Sequence, residues 1–204
     1  QNSAAANENN KANTNQQKDE AEEKQQQQEQ LFCNHNDPLA MMLDQKSKQN
    51  WHISTQQERE LTQKIRDEQF ETVWKKHPRY KSNARHFIED VHGHFRASFN
   101  AIASDAGKFG VNKKLFSARI EELEGHHTGE DSEMFPYLMR KYPETVRAFV
   151  YLSKDHKALD PLEKKVVEEK SAEAAIEFSA FLHDHLNREE LLVIPLFLQQ
   201  DYGI

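Results

Sequence analysis

The sequence predicts an all-α protein, an antiparallel up-down four-helix bundle with an N-terminal extension that is partly helical and partly disordered. Two observations predict it. From about Asn83 to Gln200, apolar residues recur at spacings of three and four in four stretches separated by short breaks. Histidines and glutamates then recur on those same apolar stripes, one helix after another.

The chain divides into three segments. Residues 1–30 hold Asn, Gln, Ala and mixed charges with no aromatic residue and no Leu, Ile or Val, so they are expected to be a disordered tail. Residues 31–78 form an extension. In it Pro38 to Leu43 suits a brief helix with proline in its first turn. A stronger helix starts after Ser54 or Thr55, where Thr55 and Glu58 have capping-box spacing, and His77-Pro78 ends it. Leu61, Ile65, Val73 and Trp74 give that helix an apolar side, which packs on the main domain or docks a protein partner.

Residues 79–204 form the bundle. Its first helix runs from about Asn83 to Ala106 with Ile88, Val91, Phe95, Phe99 and Ile102 on one stripe, and ends at Gly107 and Gly110. The second begins near Asn112, carries Phe116, Ile120 and Leu123, and ends at Pro136. Pro143 opens the third, which carries Val146, Phe149, Leu152 and Leu159 and is expected to kink or restart at Pro161. The fourth extends from about Ser171 through Ile176, Phe178 and Leu182 to Leu192, with Pro195 bending its end.

Composition narrows the function. The chain has 204 residues, a mass of 23.9 kDa and a formal charge of -7, without the basic excess of a general nucleic-acid binder. The run Leu191 to Leu198 is eight residues long and contains Pro195, too short for a membrane span of roughly 20 residues, so a soluble protein is expected. Cys33, the single cysteine, excludes an intrachain disulfide framework and a Cys-based metal cluster, and suits a reducing compartment such as the cytoplasm or an organelle matrix. The chain opens on Gln1, which suggests a processed or truncated product. No nucleophile triad, phosphate-binding glycine loop or nucleotide-binding βαβ pattern is present, which disfavours catalysis on an organic substrate.

The histidines carry the chemistry. His126 lies three residues after Leu123 and four before Glu130, which stacks imidazole and carboxylate on one helix face. Leu182, His185 and Glu189 repeat those offsets. His92 precedes Phe95 and Phe99, and His156 stands between Leu152 and Leu159, so all four helices aim a nitrogen at one interior. A lone histidine on an apolar face is ordinarily a hydrogen-bonded core residue. Four of them with two interior carboxylates are better explained by a metal, because unpaired charge inside a bundle costs several kcal/mol per group. Imidazole with shared carboxylates suits iron or manganese, and Glu130 and Glu189 are placed to bridge two ions, with a solvent-derived oxo or hydroxo group as a third bridge. His127 with Asp131 stands as an alternative to His126 with Glu130, and Glu190 as an alternative to Glu189. His94, two positions from His92, is expected on the surface, and His86 and His183 facing solvent or behind the ligands. A ferritin-like site through Glu89 and Glu124 is the competing reading, although its Glu-x-x-His motifs fall on the first and second helices.

The strings Leu123-Glu-Gly-His-His-Thr-Gly-Glu130 with Met134-Phe-Pro136, and Leu182-His-Asp-His-Leu-Asn-Arg-Glu-Glu190 with Ile194-Pro195, resemble the two signature halves of the hemerythrin and HHE cation-binding family. Val91-His92-Gly-His-Phe-Arg96 and Asp155-His156-Lys-Ala-Leu159 resemble its first-helix and third-helix ligand segments. The resemblance implies two iron ions, one on His92 and His126 and the other on His156 and His185, with Glu130 and Glu189 bridging. Oxygen carriers of the family have two histidines four apart on the third helix. Here Asp160 stands four after His156, which leaves that place to Asp160 or a water. Oxygen transport is therefore implied less strongly than iron, and relatives sense oxygen, iron or nitric oxide, or store or detoxify. The expected function is a non-haem di-iron protein that reacts with or senses oxygen, nitric oxide or peroxide. The alternative is an accessory subunit of a larger assembly, docked through the N-terminal extension.

Overall fold

Thr55 begins the first described helix as its spacing requires. Its hydroxyl accepts from the Glu58 amide at 3.3 Å, and the Glu58 carboxylate takes the Thr55 amide at 2.7 Å. This helix, α1, spans Gln56–Thr72. The structure, a computed structural model, describes residues 51–200, and every regular element among them is helical. The expected tail at 1–30 and the brief helix at Pro38 to Leu43 lie outside the described residues.

After α1 come a 3-10 turn at Trp74–Lys76 and two π-helical segments, Tyr80–Ala84 and His86–His92. Next is α2, Gly93–Phe109, which stops at Gly110, where φ is +78° and glycine alone carries no steric cost. Helix α3, Lys113–Gly129, is capped by Asn112, whose side-chain oxygen accepts from the Leu115 amide at 3.1 Å. A π segment, Glu130–Met134, leads into α4, Phe135–Lys141, a 3-10 turn at Pro143–Thr145, and α5, Val146–Glu169. Helix α6, Ala172–Leu198, is capped by Ser171, which accepts from the Ala174 amide at 3.0 Å.

Two of the expected breaks do not occur. The second helical path runs past Pro136 to Lys141, because Pro136 falls in the first turn of α4, where its missing amide is not needed. Helix α5 likewise runs through Pro161. The carbonyl that this proline leaves unpaired belongs to Lys157, an exposed residue, and water can satisfy it.

Helix α6 is the axis of the fold, packing on α2, α5 and α1. From Phe181 to Leu198 only His183, Arg188 and Pro195 escape full burial, which explains why Leu191 to Leu198 is apolar on every side. Helix α1 supplies the third neighbour that such a helix requires. The C-terminal carbonyls of α6 are bound as well: Asn83 Nδ2 donates to Phe197 O and Gln200 O at 2.9 and 2.8 Å, and Arg79 Nη1 to Leu198 O at 3.2 Å. Phe95, Phe99, Ile102, Phe116, Ile120 and Phe178 build the apolar core on one side of the histidines. Each buried ring there stabilises the fold by about 1.5–3 kcal/mol. Among the described residues no helix is long and apolar enough to cross a membrane.

Candidate metal centre

The π-helical segments fall where the histidines and glutamates begin. One ends at His92 and another starts at Glu130. A π turn widens the helix and rotates the residues after it around the axis, and such turns are frequent at functional sites. His126 and His127, neighbours on α3, are separated by about 100° around the axis. They therefore face two different sides of one interior rather than competing for one.

Two groups of ligand atoms result. In the first, atoms of His92, His126, Glu130 and Glu189 lie within 4.8 Å of one another, and in the second the same holds for His127, Glu130, His156 and His185. Glu130 belongs to both. Its Oε1 is 2.8 Å from His126 Nε2 and its Oε2 is 3.5 Å from His156 Nε2. Glu189 also spans the groups, with Oε2 at 3.5 Å from His92 Nε2 and 3.6 Å from His185 Nε2. His127 stacks on His156 with ring centroids 3.9 Å apart, and Phe95 lies 5.1 Å from the His126 ring.

None of these facing atoms is satisfied within the chain. The Nε2 atoms of His92, His126, His127, His156 and His185 and all four carboxylate oxygens of Glu130 and Glu189 are buried without a hydrogen-bond partner. The His126 contact with Glu130 is close but lacks hydrogen-bonding alignment. A buried polar atom left unpaired costs about 1–3 kcal/mol, so nine converging on one interior fit a cation and not a packed core. The protonation states agree with this. Burial lowers His92 to about 4, and it lowers His126, His127, His156 and His185 too, which keeps the imidazoles neutral and their lone pairs free. Burial pushes Glu130 up to about 8, and burial and the nearby Glu130 push Glu189 well above the carboxylate range. Without a cation the glutamates hold protons, which a metal would displace.

The opposite nitrogens of three histidines are held by carboxylates. His92 Nδ1 lies 2.9 Å from Glu190 Oε1, and Glu190 takes Arg96 Nη1 at 2.5 Å and Arg66 Nε at 2.6 Å. His156 Nδ1 lies 2.9 Å from Asp131 Oδ2, and Asp131 also accepts from Ser153 Oγ at 2.5 Å. His185 Nδ1 lies 3.5 Å from Asp155 Oδ2, which takes Arg188 Nη1 at 2.6 Å. Burial works to raise Glu190, yet the bond from His92 and the charges of Arg96 and Arg66 hold it at about 2. Such carboxylate partners fix ring orientation and tautomer in metal sites.

All six residues expected from sequence, His92, His126, Glu130, His156, His185 and Glu189, contribute atoms to these groups. His127, the alternative to His126, joins them as a seventh, and Glu190, the alternative to Glu189, sits behind His92. The sequence signal for His127 is its distance of three from Glu130, a helical neighbour spacing as good as four. Asp131 pairs with His156 and not with His127. Asp160 belongs to neither group, and His127 supplies the third imidazole beside His156 and His185. His94 is exposed and meets Glu122 at 3.1 Å, His86 is exposed and meets Asp90 at 3.0 Å, and half-buried His183 stands outside both groups. Glu89 and Glu124 are exposed and outside them too, so the ferritin-like donor set does not assemble. A solvent-open depression of about 530 Å³ reaches His127 and His156 and is rimmed by Asp131, Lys157 and Asp160.

Comparison with known proteins gives one match. The sequence profile of the hemerythrin HHE cation binding domain covers residues 83–197. A search of curated proteins gave no match, and a search of solved structures gave none. The matched span holds every residue of both ligand groups and more than half of the chain. The chain belongs to the hemerythrin HHE cation-binding family.

Proposed function

We propose that the protein is a non-haem di-iron protein that reacts with or senses a small molecule such as oxygen, nitric oxide or peroxide. One ion is assigned to His92, His126 and Glu189, the other to His127, His156 and His185, with Glu130 shared and Glu189 near both. The observation that carries this reading is the set of nine buried, unpartnered nitrogen and oxygen atoms divided into two groups by a common carboxylate. Neutral imidazoles with carboxylates suit iron among the common metals. An iron pair so held supplies redox chemistry toward a small molecule.

The chain's own residues prepare that chemistry. Phe95 and Phe87 pack against the His126 and His92 rings and limit water on that side, at 5.1 and 4.1 Å. The depression at His127 and His156 gives a small molecule its approach. Core residues follow His92 in α2, precede His126 in α3, follow His156 in α5 and precede His185 in α6, an alternation that supports an antiparallel up-down order. The accessory-subunit alternative draws on the aromatic residues of the extension. Trp74 is buried and Trp51 donates to Asp155 at 2.9 Å, so both serve contacts within the chain.

Elemental analysis of protein purified without chelator tests the reading. About two irons per chain are expected, and a folded chain that binds no metal from an iron or cobalt solution would refute it.

A further inference from the structure

The matched family domain begins at residue 83, yet two side chains that brace its ligands come from before it. Arg66, on α1, donates through Nε to Glu190 Oε2 at 2.6 Å, and the other oxygen of Glu190 meets His92 Nδ1 at 2.9 Å. Trp51, just ahead of α1, donates through Nε1 to Asp155 Oδ1 at 2.9 Å, and the other oxygen of Asp155 faces His185 Nδ1 at 3.5 Å. Glu190 and Asp155 are fully buried, so each depends on such donors for its orientation. One turn before Arg66, Gln63 accepts from Asn187 Nδ2 at 2.7 Å, and Asn187 in turn receives Arg96 Nη2 at 2.8 Å. That ties α1 to the second guanidinium on Glu190.

We propose that Arg66 and Trp51 are positioning residues for the metal centre: the segment ahead of the family domain fixes Glu190 and Asp155, and through them orients one histidine in each ligand group. Arg66 serves the group of His92, and Trp51 serves the group of His185. The inference rests on the metal reading above. It assigns the N-terminal segment a part in the centre, distinct from its packing on α6. The Arg66 guanidinium is itself fixed over the Phe70 ring at 4.7 Å, so its aim is set within α1.

The test uses the full chain loaded with cobalt(II), whose visible bands report ligand geometry. Trp51→Phe keeps an aromatic ring but loses the indole N–H with the smaller ring, Arg66→Gln removes the charged donor, and Arg66→Lys restores a charged one. Trp51→Phe and Arg66→Gln are each expected to shift the cobalt bands and to speed release of one of two cobalt equivalents to a chelator about tenfold. Arg66→Lys should recover much of the wild-type spectrum. The metal-free melting temperature of Trp51→Phe should fall only modestly, because Arg188 still holds Asp155. Unchanged bands and release rates would overturn the proposal, as would a lowered metal-free melting temperature with unchanged bands, the signature of packing alone. If the wild-type chain takes up no cobalt, the metal reading itself fails, a result distinct from either.

Discussion

The two ligand groups share Glu130 but are backed differently. Behind His92 stands Glu190, wholly buried and bound by Arg66 and Arg96. Behind His156 stands Asp131, whose side chain is 37% exposed and whose further bond comes from the neutral Ser153. The first group is thus backed by charges inside the protein, whereas the second combines one such backing, Asp155 with Arg188 behind His185, with an open side on the depression at His127 and His156. Rigid backing favours retention of an ion and open backing favours exchange of what binds there. On the proposed reading, the open side at His127 and His156 is where a small molecule would act.

The shared residue gives the largest expected effect. Glu130→Gln removes a carboxylate from both groups, so bound iron should fall from about two per chain to well under one. Because Glu130 is raised to about 8, it is a neutral acid at pH 7 in the metal-free chain, and glutamine mimics that form. The metal-free melting temperature should therefore change little. Loss of only one iron equivalent, measured by elemental analysis, would show that Glu130 serves one group alone.

Glu190→Gln comes next and probes the buried backing. It leaves Arg66 and Arg96 facing a neutral amide inside the protein, which should cost about 3–5 kcal/mol in denaturant unfolding of the metal-free chain. A cost under about 1 kcal/mol would mean that water reaches this network, and the contrast between the groups would weaken.

The metal-free chain should also respond to pH from both directions. Glu130 is raised from 4.5 to about 8, so the stability its bound proton contributes is present below 4.5 and is lost as pH rises through 8. His92 is lowered from 6.5 to about 4, so its contribution is present above 6.5 and is lost as pH falls through 4. The other four imidazoles are lowered like His92 and Glu189 is raised like Glu130, so thermal unfolding of chelator-treated protein should peak near the ordinary imidazole value, at about pH 6 to 7. On the proposed reading a bound metal would replace the glutamate protons, so the loaded chain should keep its stability at alkaline pH. A pH profile that metal does not alter would argue that the glutamates carry no ion.

Local spacing makes much of this legible in the sequence, and long-range packing hides the rest. The Thr55 and Glu58 spacing foretells a capping box, and the stripe of Phe95, Phe99 and Ile102 foretells a buried face, because both depend on neighbours within a turn or two. His126 and His127 look like rivals only if the interior offers a single position for a ligand. Two groups on either side of Glu130 accommodate both. Glu189 and Glu190 pose the same either-or, and both are buried in different roles. Pro161 reads as a break because the sequence does not tell whether the orphaned carbonyl meets water or core. Arg66 and Trp51 lie 124 and 104 positions from their carboxylate partners, and nothing in their local pattern marks those contacts.

The smallest effect, and the sharpest on the open side, is expected from Asp131→Asn. Asparagine can accept from His156 Nδ1 through its one oxygen while its amide nitrogen donates to Ser153 Oγ, whose hydroxyl rotates to accept, so the contacts are kept while the negative charge behind the ring is lost. Because Asp131 is partly exposed, solvent already screens it, and the metal-free chain should lose under about 1 kcal/mol. The ion on His127, His156 and His185 should feel the change, since a carboxylate behind an imidazole raises its basicity as a ligand. Release of one metal equivalent to a chelator should quicken about tenfold while the other keeps its wild-type rate. A destabilisation as large as that of Glu190→Gln would show that Asp131 is as buried in solution as Glu190. Equal acceleration of both equivalents would show that the two groups behave as one centre, with Glu130 transmitting to His92 and His126 whatever is done to His156.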